Sequence, residues 1–224
     1  RVISRDHRKL VVADGTQAVI GGLCIGDEWA GDTENGIPPW RDTAVYIEGP
    51  ASHALDLAFA HTWSLAGPPL AEDECATDPA PAGDAAVRAV VGLPGKERAY
   101  RVLEYLAAGS RRRLWIMDAY LVPPPRLFEV LALAEKDGVD IRLLLPGPSD
   151  VPLVRNLTRL GYRDLLRAGM RIFEWSGPML HAKAMVADGR WVRVGTSNLN
   201  ASSLLGNFEL DVLVDDPGFN GAPP

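Results

Sequence analysis

The chain has 224 residues, of which 47% are hydrophobic and 23% charged, a composition typical of a globular protein with one or two domains. Its formal net charge of −6 argues against a broad nucleic-acid-binding surface, although a local basic site is compatible with it. Two cysteines exclude a disulfide framework, and no apolar run reaches the roughly 18 residues of a membrane-spanning helix. The start at Arg1, with no signal-like segment, indicates a fragment or a processed chain.

The first part of the chain predicts a β-hairpin, a loop, a strand and a helix, in that order. Val2–Cys24 alternates apolar runs around a turn at Asp14-Gly15, and residues 27–42 are rich in Gly, Asp and Pro. Thr43–Ile47 alternates like a short strand, and Ala51–Leu65 has the apolar spacing of a helix.

A stretch rich in Pro, Ala and acidic residues then predicts a linker. The helix ends at Gly67, and the linker is expected over residues 69–84. We therefore predict a first unit over residues 1–68 and a second unit over residues 85–224.

Beyond the linker, strands and helices alternate, which predicts an α/β fold with a largely parallel sheet. A second β-hairpin follows the last of these elements. The predicted elements are, in order, strand Ala86–Val91, helix Lys96–Ala108, strand Arg113–Met117, helix Arg126–Lys136, strand Val139–Leu145, helix 151–168 and strand Arg171–Glu174.

One pattern of residues occurs twice in the chain, as "HRKLVVADGTQAVIGG" from His7 and as "HAKAMVADGRWVRVGT" from His181. In each copy Lys comes two positions after His, Asp five after Lys, and Gly seven after Asp. A chance match of four residues at the same spacing is improbable, so the repeat predicts two structurally similar halves. The matched residues are His7, Lys9, Asp14 and Gly21 in the first copy, and His181, Lys183, Asp188 and Gly195 in the second.

The spacing predicts that each hairpin collects polar groups at its open end. Side chains alternate along a strand, so the His and Lys of one copy share a face. If Asp-Gly forms a two-residue turn, strand pairing can be counted outward from it. The count pairs Lys183 with Val194, His181 with Thr196, and His7 with Gly22.

Two histidines and two lysines are what the chemistry of a phosphodiester requires. Lysines and hydrogen-bond donors stabilise charge on a phosphoryl group. One histidine can attack phosphorus while another protonates the leaving alkoxide. The two halves together would therefore form one site that uses neither a metal nor another cofactor. The alternatives are an exposed strand edge and a decayed repeat that retained only the fold.

Aromatic residues near the two motifs are weaker candidates. Tyr120, in "DAYLVPP", either packs in the core or lines the wall of the site. Trp29, Trp40 and Trp63 could line an entrance to the site, but aromatic residues are more often core residues, so they stay outside the predicted site.

The duplicated motif resembles the signature of the phospholipase D superfamily, His-x-Lys-x4-Asp-x6-Gly. The flanking stretches "WRDTAVYIEGP", "DAYLVPP" and "VGTSNLNASSLLGNFEL" resemble the cardiolipin synthase branch in particular. This resemblance implies a phospholipase D fold of two similar α/β/α halves with mainly parallel mixed sheets. It also implies that residues 1–68 are the C-terminal portion of the first half, which is truncated at its N-terminus, and that residues 85–224 are the second half.

The resemblance implies a phosphatidyltransferase. A phosphatidyl group would pass from phosphatidylglycerol to a histidine and then to a second hydroxyl, giving cardiolipin or a related phospholipid. His7 is assigned as the nucleophile and His181 as the general acid and then base, with the reverse assignment open. The alternatives are a hydrolytic phospholipase D, a nuclease or phosphodiesterase of the same superfamily, and a non-catalytic lipid-binding protein.

The resemblance also assigns roles to residues around the histidines. Lys9 and Lys183 would hold the phosphate oxygens. Thr196 and Asn198 match phosphate-binding donor positions after the second copy. Glu209, in "NFEL", matches a carboxylate that orients the second histidine.

The remaining assignments concern three aspartates and a cysteine. Asp42, in "WRDT", is a candidate for orienting His7, with a loop residue bonded to nearby backbone as the alternative. Asp14 and Asp188 belong to the catalytic motif but are expected at the turns, with a structural role. Cys24 stands where the branch usually has Asn, so a weak thiol donor replaces an amide donor.

The implied partners follow from the implied reaction. The substrate would be an anionic phospholipid at a membrane surface, and no nucleic acid is expected. The resemblance implies a membrane-associated protein at the cytoplasmic face of a bacterial membrane.

Overall fold

The computed structural model describes residues 4–75 and 78–219 and contains two β-sheets with helices packed against them. The smaller sheet has three antiparallel strands in chain order, β1 (Leu10–Ala13), β2 (Gln17–Gly21) and β3 (Ala44–Glu48). Helix α2 (Pro50–Ala66) follows β3, so the predicted hairpin, strand and helix are confirmed.

Two short helices lie where the sequence predicts only loop and linker. Helix α1 (Asp27–Ala30) lies in the loop between β2 and β3, and α3 (Glu72–Cys75) lies in the predicted linker. Each spans four residues, which is too short to produce a clear apolar periodicity.

The larger sheet has seven strands in the order β4-β10-β9-β8-β5-β6-β7. Helices α4, α5 and α6 connect β4 to β5, β5 to β6, and β6 to β7, as predicted. The bounds are β4 (Ala86–Gly92), α4 (Arg98–Gly109), β5 (Arg113–Met117), α5 (Pro125–Lys136), β6 (Asp140–Pro146), α6 (Pro152–Arg167), β7 (Arg171–Trp175), β8 (Ala184–Ala187), β9 (Trp191–Gly195), a short π-helix (Ser202–Gly206) and β10 (Glu209–Asp215).

The prediction of mainly parallel sheets is wrong, although the α/β class is correct. Within the described strands of the larger sheet, only β5–β6 and β6–β7 are parallel neighbours. The hairpin β8–β9 reverses the chain beside β5, and β10 inserts between β9 and β4. Alternating helices and strands predict parallel pairing only where a helix connects neighbouring strands. The hairpin has no such helix, and the connection from β9 to β10 contains only a five-residue π-helix.

Both hairpins have the same turn, but the predicted register is off by one residue. Asp14 and Asp188 have φ of 53° and 56°, and the glycine after each is also left-handed. In the second hairpin the N–H of Arg190 donates to the Ala187 carbonyl over 3.1 Å, which closes the expected Asp-Gly turn. The ladder nevertheless resumes one residue later, where Trp191 pairs with Ala187.

The extra residue in each turn changes which residues face each other at the open end. Gly195 donates its N–H to the Lys183 carbonyl over 3.3 Å, so Lys183 faces Gly195 and not Val194. The predicted pairs His181–Thr196 and His7–Gly22 lie beyond the two ladders, where the backbone N–H of His181 bonds Arg41 and that of His7 bonds Phe208. A bulge of one residue leaves no mark in the apolar alternation, so the sequence could not reveal it.

The glycine of each motif allows a neighbouring strand to approach closely. A Cβ atom at Gly195 would lie 2.5 Å from the Cα of Asp211 in β10. A Cβ atom at Gly21 would lie 2.3 Å from the Thr43 carbonyl oxygen, at the start of β3. A side chain at Gly195 would therefore push β9 away from β10, the strand that begins at Glu209. A side chain at Gly21 would push β2 away from the segment that directly follows Asp42.

The two parts of the chain share a hydrophobic core. One cluster of buried residues combines Ile20 of β2 and Leu55 of α2 with Leu210 and Val212 of β10, all of them fully buried. Each such side chain contributes about 1.5–3 kcal/mol when removed from water. The larger cluster lies between the seven-stranded sheet and helices α4 and α5. Within the described ranges, no helix combines the length and apolar character that crossing a bilayer requires.

Candidate active site

The first motif's histidine hydrogen-bonds a carboxylate from the second half. The Nδ1 atom of His7 lies 3.0 Å from both carboxylate oxygens of Glu209, at the start of β10. The backbone N–H of His7 donates to the Phe208 carbonyl over 3.0 Å. The segment before β1 therefore runs beside the segment before β10, and this contact sets the distance between imidazole and carboxylate.

The second motif's histidine repeats this arrangement with the first half. The Nδ1 atom of His181 lies 2.9 Å from Oδ2 of Asp42, whose side chain is fully buried. The backbone N–H of His181 donates to the Arg41 carbonyl over 2.8 Å, and Arg41 donates to the Met179 carbonyl over 2.8 Å. Each histidine thus has its backbone fixed by the residue that precedes its carboxylate partner.

The predicted partners of the two carboxylates are exchanged. The resemblance assigned Glu209 to the second histidine and Asp42 to His7, whereas the structure pairs Glu209 with His7 and Asp42 with His181. The crossing follows from the segments that pair between the halves, at Asp6–Phe208 and Arg41–Leu180. Such long-range pairing is not visible in motif spacing.

The two lysines lie beside the histidines of their own motifs. The Nζ atom of Lys9 donates to the His7 carbonyl over 2.6 Å. The Nζ atom of Lys183 lies 3.0 Å from both ring nitrogens of His181 and also donates to the His181 carbonyl. Lys183 is fully buried, so its charge has little competition from water.

Charges from both halves act on each lysine. Burial lowers the pKa of Lys183 to about 8, although the charges of Asp42, Asp118 and Glu209 oppose this shift. Burial also lowers the pKa of Lys9, against the charges of Glu209 and Asp42. Both crossed carboxylates therefore interact with both lysines, and the two motifs form one electrostatic cluster.

Burial affects the second histidine as well. It lowers the pKa of His181, and the neighbouring Lys183 charge acts in the same direction, while the hydrogen bond to Asp42 opposes both. Burial works against ionisation of Asp42, but hydrogen bonds from His181 and Trp29 hold the pKa of its carboxyl below the ordinary value. Near neutral pH the resting pair is therefore a neutral imidazole and a carboxylate.

Thr196 supports a carboxylate and is not free to bind phosphate, which corrects the prediction for this residue. Its hydroxyl donates to Oε2 of Glu209 over 2.5 Å and accepts the N–H of Leu210 over 2.9 Å. The hydroxyl of Ser203, in the π-helix, donates to the other oxygen of Glu209. Glu209 is thus held by three donors: His7, Thr196 and Ser203.

Asn198 remains a candidate phosphate-binding donor. It is 4% exposed, and its backbone N–H donates to the Ser203 hydroxyl over 3.2 Å. Its side-chain amide nitrogen donates one N–H to the same hydroxyl over 3.5 Å, and its side-chain oxygen has no hydrogen-bond partner in the described part of the chain. Asp118, which the sequence analysis missed, fixes this segment by accepting the N–H of Leu199 over 2.8 Å. Burial raises the pKa of Asp118 to about 6.

Three aromatic rings surround His181, and the sequence analysis had excluded two of them. The His181 ring centroid lies 5.1 Å from Trp29, 5.7 Å from Trp40 and 5.8 Å from Tyr120. The indole N–H of Trp29 also donates to Oδ2 of Asp42 over 2.8 Å. Trp63 on α2 is 48% exposed and makes no ring contact with His181. The one sequence feature that could have identified Trp29 and Trp40 as site residues is their position in the loop that leads to Asp42.

The motif aspartates lie at the turn ends of the hairpins. The Asp188 carboxylate accepts the backbone N–H groups of residues 111–113 over 2.8 to 3.0 Å. Burial opposes its ionisation, but these bonds lower the pKa of Asp188. This geometry is structural, as the sequence predicts for Asp188.

Cys24 lies three residues after the end of β2. Its sulfur lies 3.6 Å from the Gly22 carbonyl, and burial raises the pKa of its thiol against the charges of Lys9 and Lys183. Among residues 4–75 and 78–219, no group of three or more His, Cys, Asp or Glu side chains is arranged to hold a metal ion.

Two solved structures are similar to this chain. Phosphatidylserine synthase from Haemophilus influenzae superposes with a TM-score of 0.71 at 15% identity, covering 98% of this chain and 60% of that protein. Nuc from Salmonella typhimurium, a phospholipase D family member, superposes with a TM-score of 0.50 at 18% identity, covering 59% of this chain and 84% of that protein. These likenesses establish the fold.

Sequence relatives are closer. Cardiolipin synthase A of Pseudomonas putida is 36% identical over 220 residues, which are 96% of this chain and 45% of the relative. A cardiolipin synthase of Geobacillus is 34% identical over 218 residues, 94% of this chain and 43% of the relative. The chain thus spans less than half the length of these curated relatives. The family model described as "Cardiolipin synthase, PLD-like domain" matches residues 103–222, more than half of the chain. The chain belongs to this cardiolipin synthase family of phospholipase D-like domains.

Proposed function

We propose that this chain forms the active site of a phosphatidyltransferase of the cardiolipin synthase type. It would transfer a phosphatidyl group from one phosphatidylglycerol to the hydroxyl of another, giving cardiolipin and glycerol. The observation that carries the proposal is the pair of crossed histidine–carboxylate contacts beside two buried or half-buried lysines.

The first step forms a covalent phosphohistidine. With Nδ1 of His7 donating to Glu209, the lone pair on Nε2 is free to attack phosphorus. The bond between phosphorus and the glycerol oxygen breaks, and that oxygen takes a proton from His181. Glycerol leaves, and the phosphatidyl group stays bound to His7.

The second step regenerates the enzyme. The neutral His181 takes the proton from the hydroxyl of a second phosphatidylglycerol, whose oxygen attacks phosphorus. The bond between phosphorus and Nε2 of His7 breaks, and cardiolipin leaves. Lys9 and Lys183 would stabilise the charge on the phosphoryl oxygens in both steps, most effectively where water is excluded.

The exposure of the two rings supports His7 as the nucleophile. The His7 side chain is 28% exposed and the His181 side chain 7%, so His7 offers its Nε2 more openly to a bulky lipid phosphate. His181 must carry a proton in the first step, although burial lowers its pKa. A bound phosphodiester anion offsets the Lys183 charge and so favours the protonated imidazole.

Product analysis tests the reaction class. The full-length protein is incubated with phosphatidylglycerol vesicles, and the lipids are identified by mass spectrometry. Cardiolipin and free glycerol in equal amounts are expected. Phosphatidic acid without cardiolipin would indicate a hydrolytic phospholipase D, and cleavage of single-stranded DNA that is lost in His7→Ala would indicate a nuclease.

The same proposal includes the organisation and location of the protein. Residues 1–68 and 85–224 would each belong to one phospholipase D-like half, joined by residues 69–84. The identical turns of the two hairpins support this division. The protein would work at the cytoplasmic face of a bacterial membrane on anionic phospholipids. Fractionation followed by protease protection of spheroplasts tests that location.

A further inference from the structure

Helix α6 exposes a row of leucines to solvent. Leu153 and Leu160 are 70% and 75% exposed, and Leu157 between them is 47% exposed. Positions separated by four and then three residues lie on one face of a helix. A different face of the helix, with Thr158 and Leu165, packs into the core. Solvent exposure of three leucines in one row is costly unless another apolar surface covers them.

The charge of α6 contrasts with that of the whole chain. The helix carries four arginines and a single aspartate, whereas the chain has a net charge of −6. Arg163 and Arg167 continue the leucine face toward the end of the helix, and neither forms an ion pair with any described residue. Arg159 pairs with Glu174. A leucine row beside unpaired arginines is the pattern of a helix that lies in the interface of an anionic bilayer.

Helix α2 provides a comparison within the same molecule. It also exposes apolar side chains, including Phe59 and Trp63, but it contains no lysine or arginine. Exposed apolar surface alone therefore does not distinguish α6. Its positive charge does, because anionic lipid head groups attract it and a neutral protein surface would not.

The start of α6 is connected to the candidate active site. The hydroxyl of Tyr120 donates to Asp150, two residues before α6, over 2.7 Å. The Tyr120 ring contacts His181 at 5.8 Å. A cavity of about 230 Å³ lies between α5 and α6, lined by Leu121, Phe128 and Leu157 among others. Apolar surface therefore extends from the leucine row to the segment around Tyr120, which lines the candidate active site.

We propose that α6 docks on the surface of an anionic phospholipid bilayer, with Leu153, Leu157 and Leu160 at the acyl boundary and Arg163 and Arg167 at the lipid phosphates. The inference rests on the proposed function, because it names the surface through which that site would reach its lipid substrate. The lipid phosphates bound by α6 would be those of the bilayer and not the one undergoing transfer.

Hydrogen exchange of the full-length protein tests docking without requiring activity. Vesicles of phosphatidylglycerol should slow exchange in residues 152–167 at least several-fold, and vesicles of phosphatidylcholine should not. Helix α5 is the internal control, because it also exposes a leucine, Leu133, but contains fewer arginines than α6. Protection of α6 that depends on protein concentration and not on lipid would indicate self-association and overturn the proposal.

Kinetic measurements on vesicles and on dispersed substrate distinguish an effect on membrane docking from an effect on the reaction itself. The variant Leu153→Ser/Leu157→Ser/Leu160→Ser should lower kcat/KM on phosphatidylglycerol vesicles by about tenfold or more, since it removes apolar area from the interface. Its activity on dispersed short-chain phosphatidylglycerol should stay within about twofold, while Leu133→Ser changes neither value. The charge variant Arg163→Gln/Arg167→Gln should weaken vesicle activity on the order of tenfold at low salt and less at high salt.

The outcomes distinguish the two proposals. No transfer on either substrate, with α6 still protected by phosphatidylglycerol vesicles, would contradict the proposed function and retain the docking surface. Unchanged exchange of α6 and unchanged vesicle activity of the triple variant would overturn the docking surface alone.

Discussion

The two histidine–carboxylate pairs have the same geometry in different surroundings. In both, Nδ1 lies about 3 Å from a carboxylate of the other half, and the histidine N–H bonds the residue before that carboxylate. Glu209 is held by hydroxyl groups, whereas Asp42 is held by the Trp29 indole and the Thr43 N–H. The His7 ring is open, and the His181 ring is enclosed by aromatic side chains.

This difference indicates that the repeated motif determines where each histidine lies, while its surroundings determine which role suits it. Backbone pairing between the halves holds both imidazoles in equivalent places. Burial then lowers the pKa of both His181 and Lys183 in the second half. An exposed ring suits a nucleophile that meets a lipid phosphate, and an enclosed ring suits proton transfer at a site from which water is excluded.

Removing either histidine should have the largest effect on turnover, and the two variants should differ in whether the protein becomes covalently labelled. With phosphate-labelled phosphatidylglycerol, His7→Ala of the full-length protein should form no covalent labelled protein. His181→Ala should still become labelled, while turnover falls by about 10²–10⁴-fold because the acid–base group is missing. His61→Ala, on the exposed side of α2, is the control. Labelling retained in His7→Ala and lost in His181→Ala would reverse the roles.

Neutralising each carboxylate tests whether the pairs are crossed. Glu209→Gln and Asp42→Asn should each lower kcat by about 10²–10⁴-fold, because the amide no longer orients and stabilises its imidazole. In NMR spectra of the histidine rings, Glu209→Gln should shift the signals of His7 and leave those of His181 nearly unchanged. Asp42→Asn should do the opposite. A perturbation of His181 by Glu209→Gln would contradict the crossing.

The alkaline side of the pH profile should report the buried lysine. Lys183 has a lowered pKa of about 8, so it is protonated below that pH and loses its charge above it. The profile of kcat/KM, which reflects the free enzyme, should therefore fall as pH rises through about 8. The variant Lys183→Arg keeps its charge and should lose this limb, even if its activity is lower. A kcat/KM that stays constant to pH 10 would exclude Lys183 as the titrating group.

Removing the indole donor should have a smaller effect, confined to the second pair. Trp29→Phe keeps an aromatic ring and removes the hydrogen bond to Asp42, so kcat should fall by about tenfold. Loss of a donor to the charged form raises the pKa of Asp42, and the acidic limb of the profile should therefore move to higher pH. Trp63→Phe is the matched control, because that ring lies on the exposed face of α2. An unchanged acidic limb in Trp29→Phe would mean that the indole only packs.

The sequence predicts the local features of the site but not the contacts between the two halves. The histidines, the lysines and most elements are local, so spacing and periodicity identified them. The choice of carboxylate for each histidine depends on backbone pairing across more than 100 residues, which no local pattern encodes. The family resemblance singled out both carboxylates, and the structure shows which histidine each of them contacts.

The missed residues have similar explanations. Trp29 lies in a Gly- and Asp-rich loop, where an aromatic residue is usually a packing group. Thr196 matched a donor position, but its hydroxyl is used to hold Glu209. The strand β10 follows only a five-residue π-helix and is antiparallel to both of its neighbours, so the alternation that predicts parallel pairing does not extend to it.

The smallest expected effect concerns Cys24, where the family resemblance leads us to expect Asn. Cys24 presents a weak thiol donor near Lys9, and burial raises its pKa, so it stays uncharged and adds little to phosphate binding. Cys24→Asn should lower KM by about two- to tenfold, the value of one good hydrogen bond, with kcat nearly unchanged. Cys75→Asn, at the end of α3, should change neither constant. If Cys24→Asn instead raises KM, the thiol is fitted to the lipid that this protein binds, and the first half is specialised as strongly as the second.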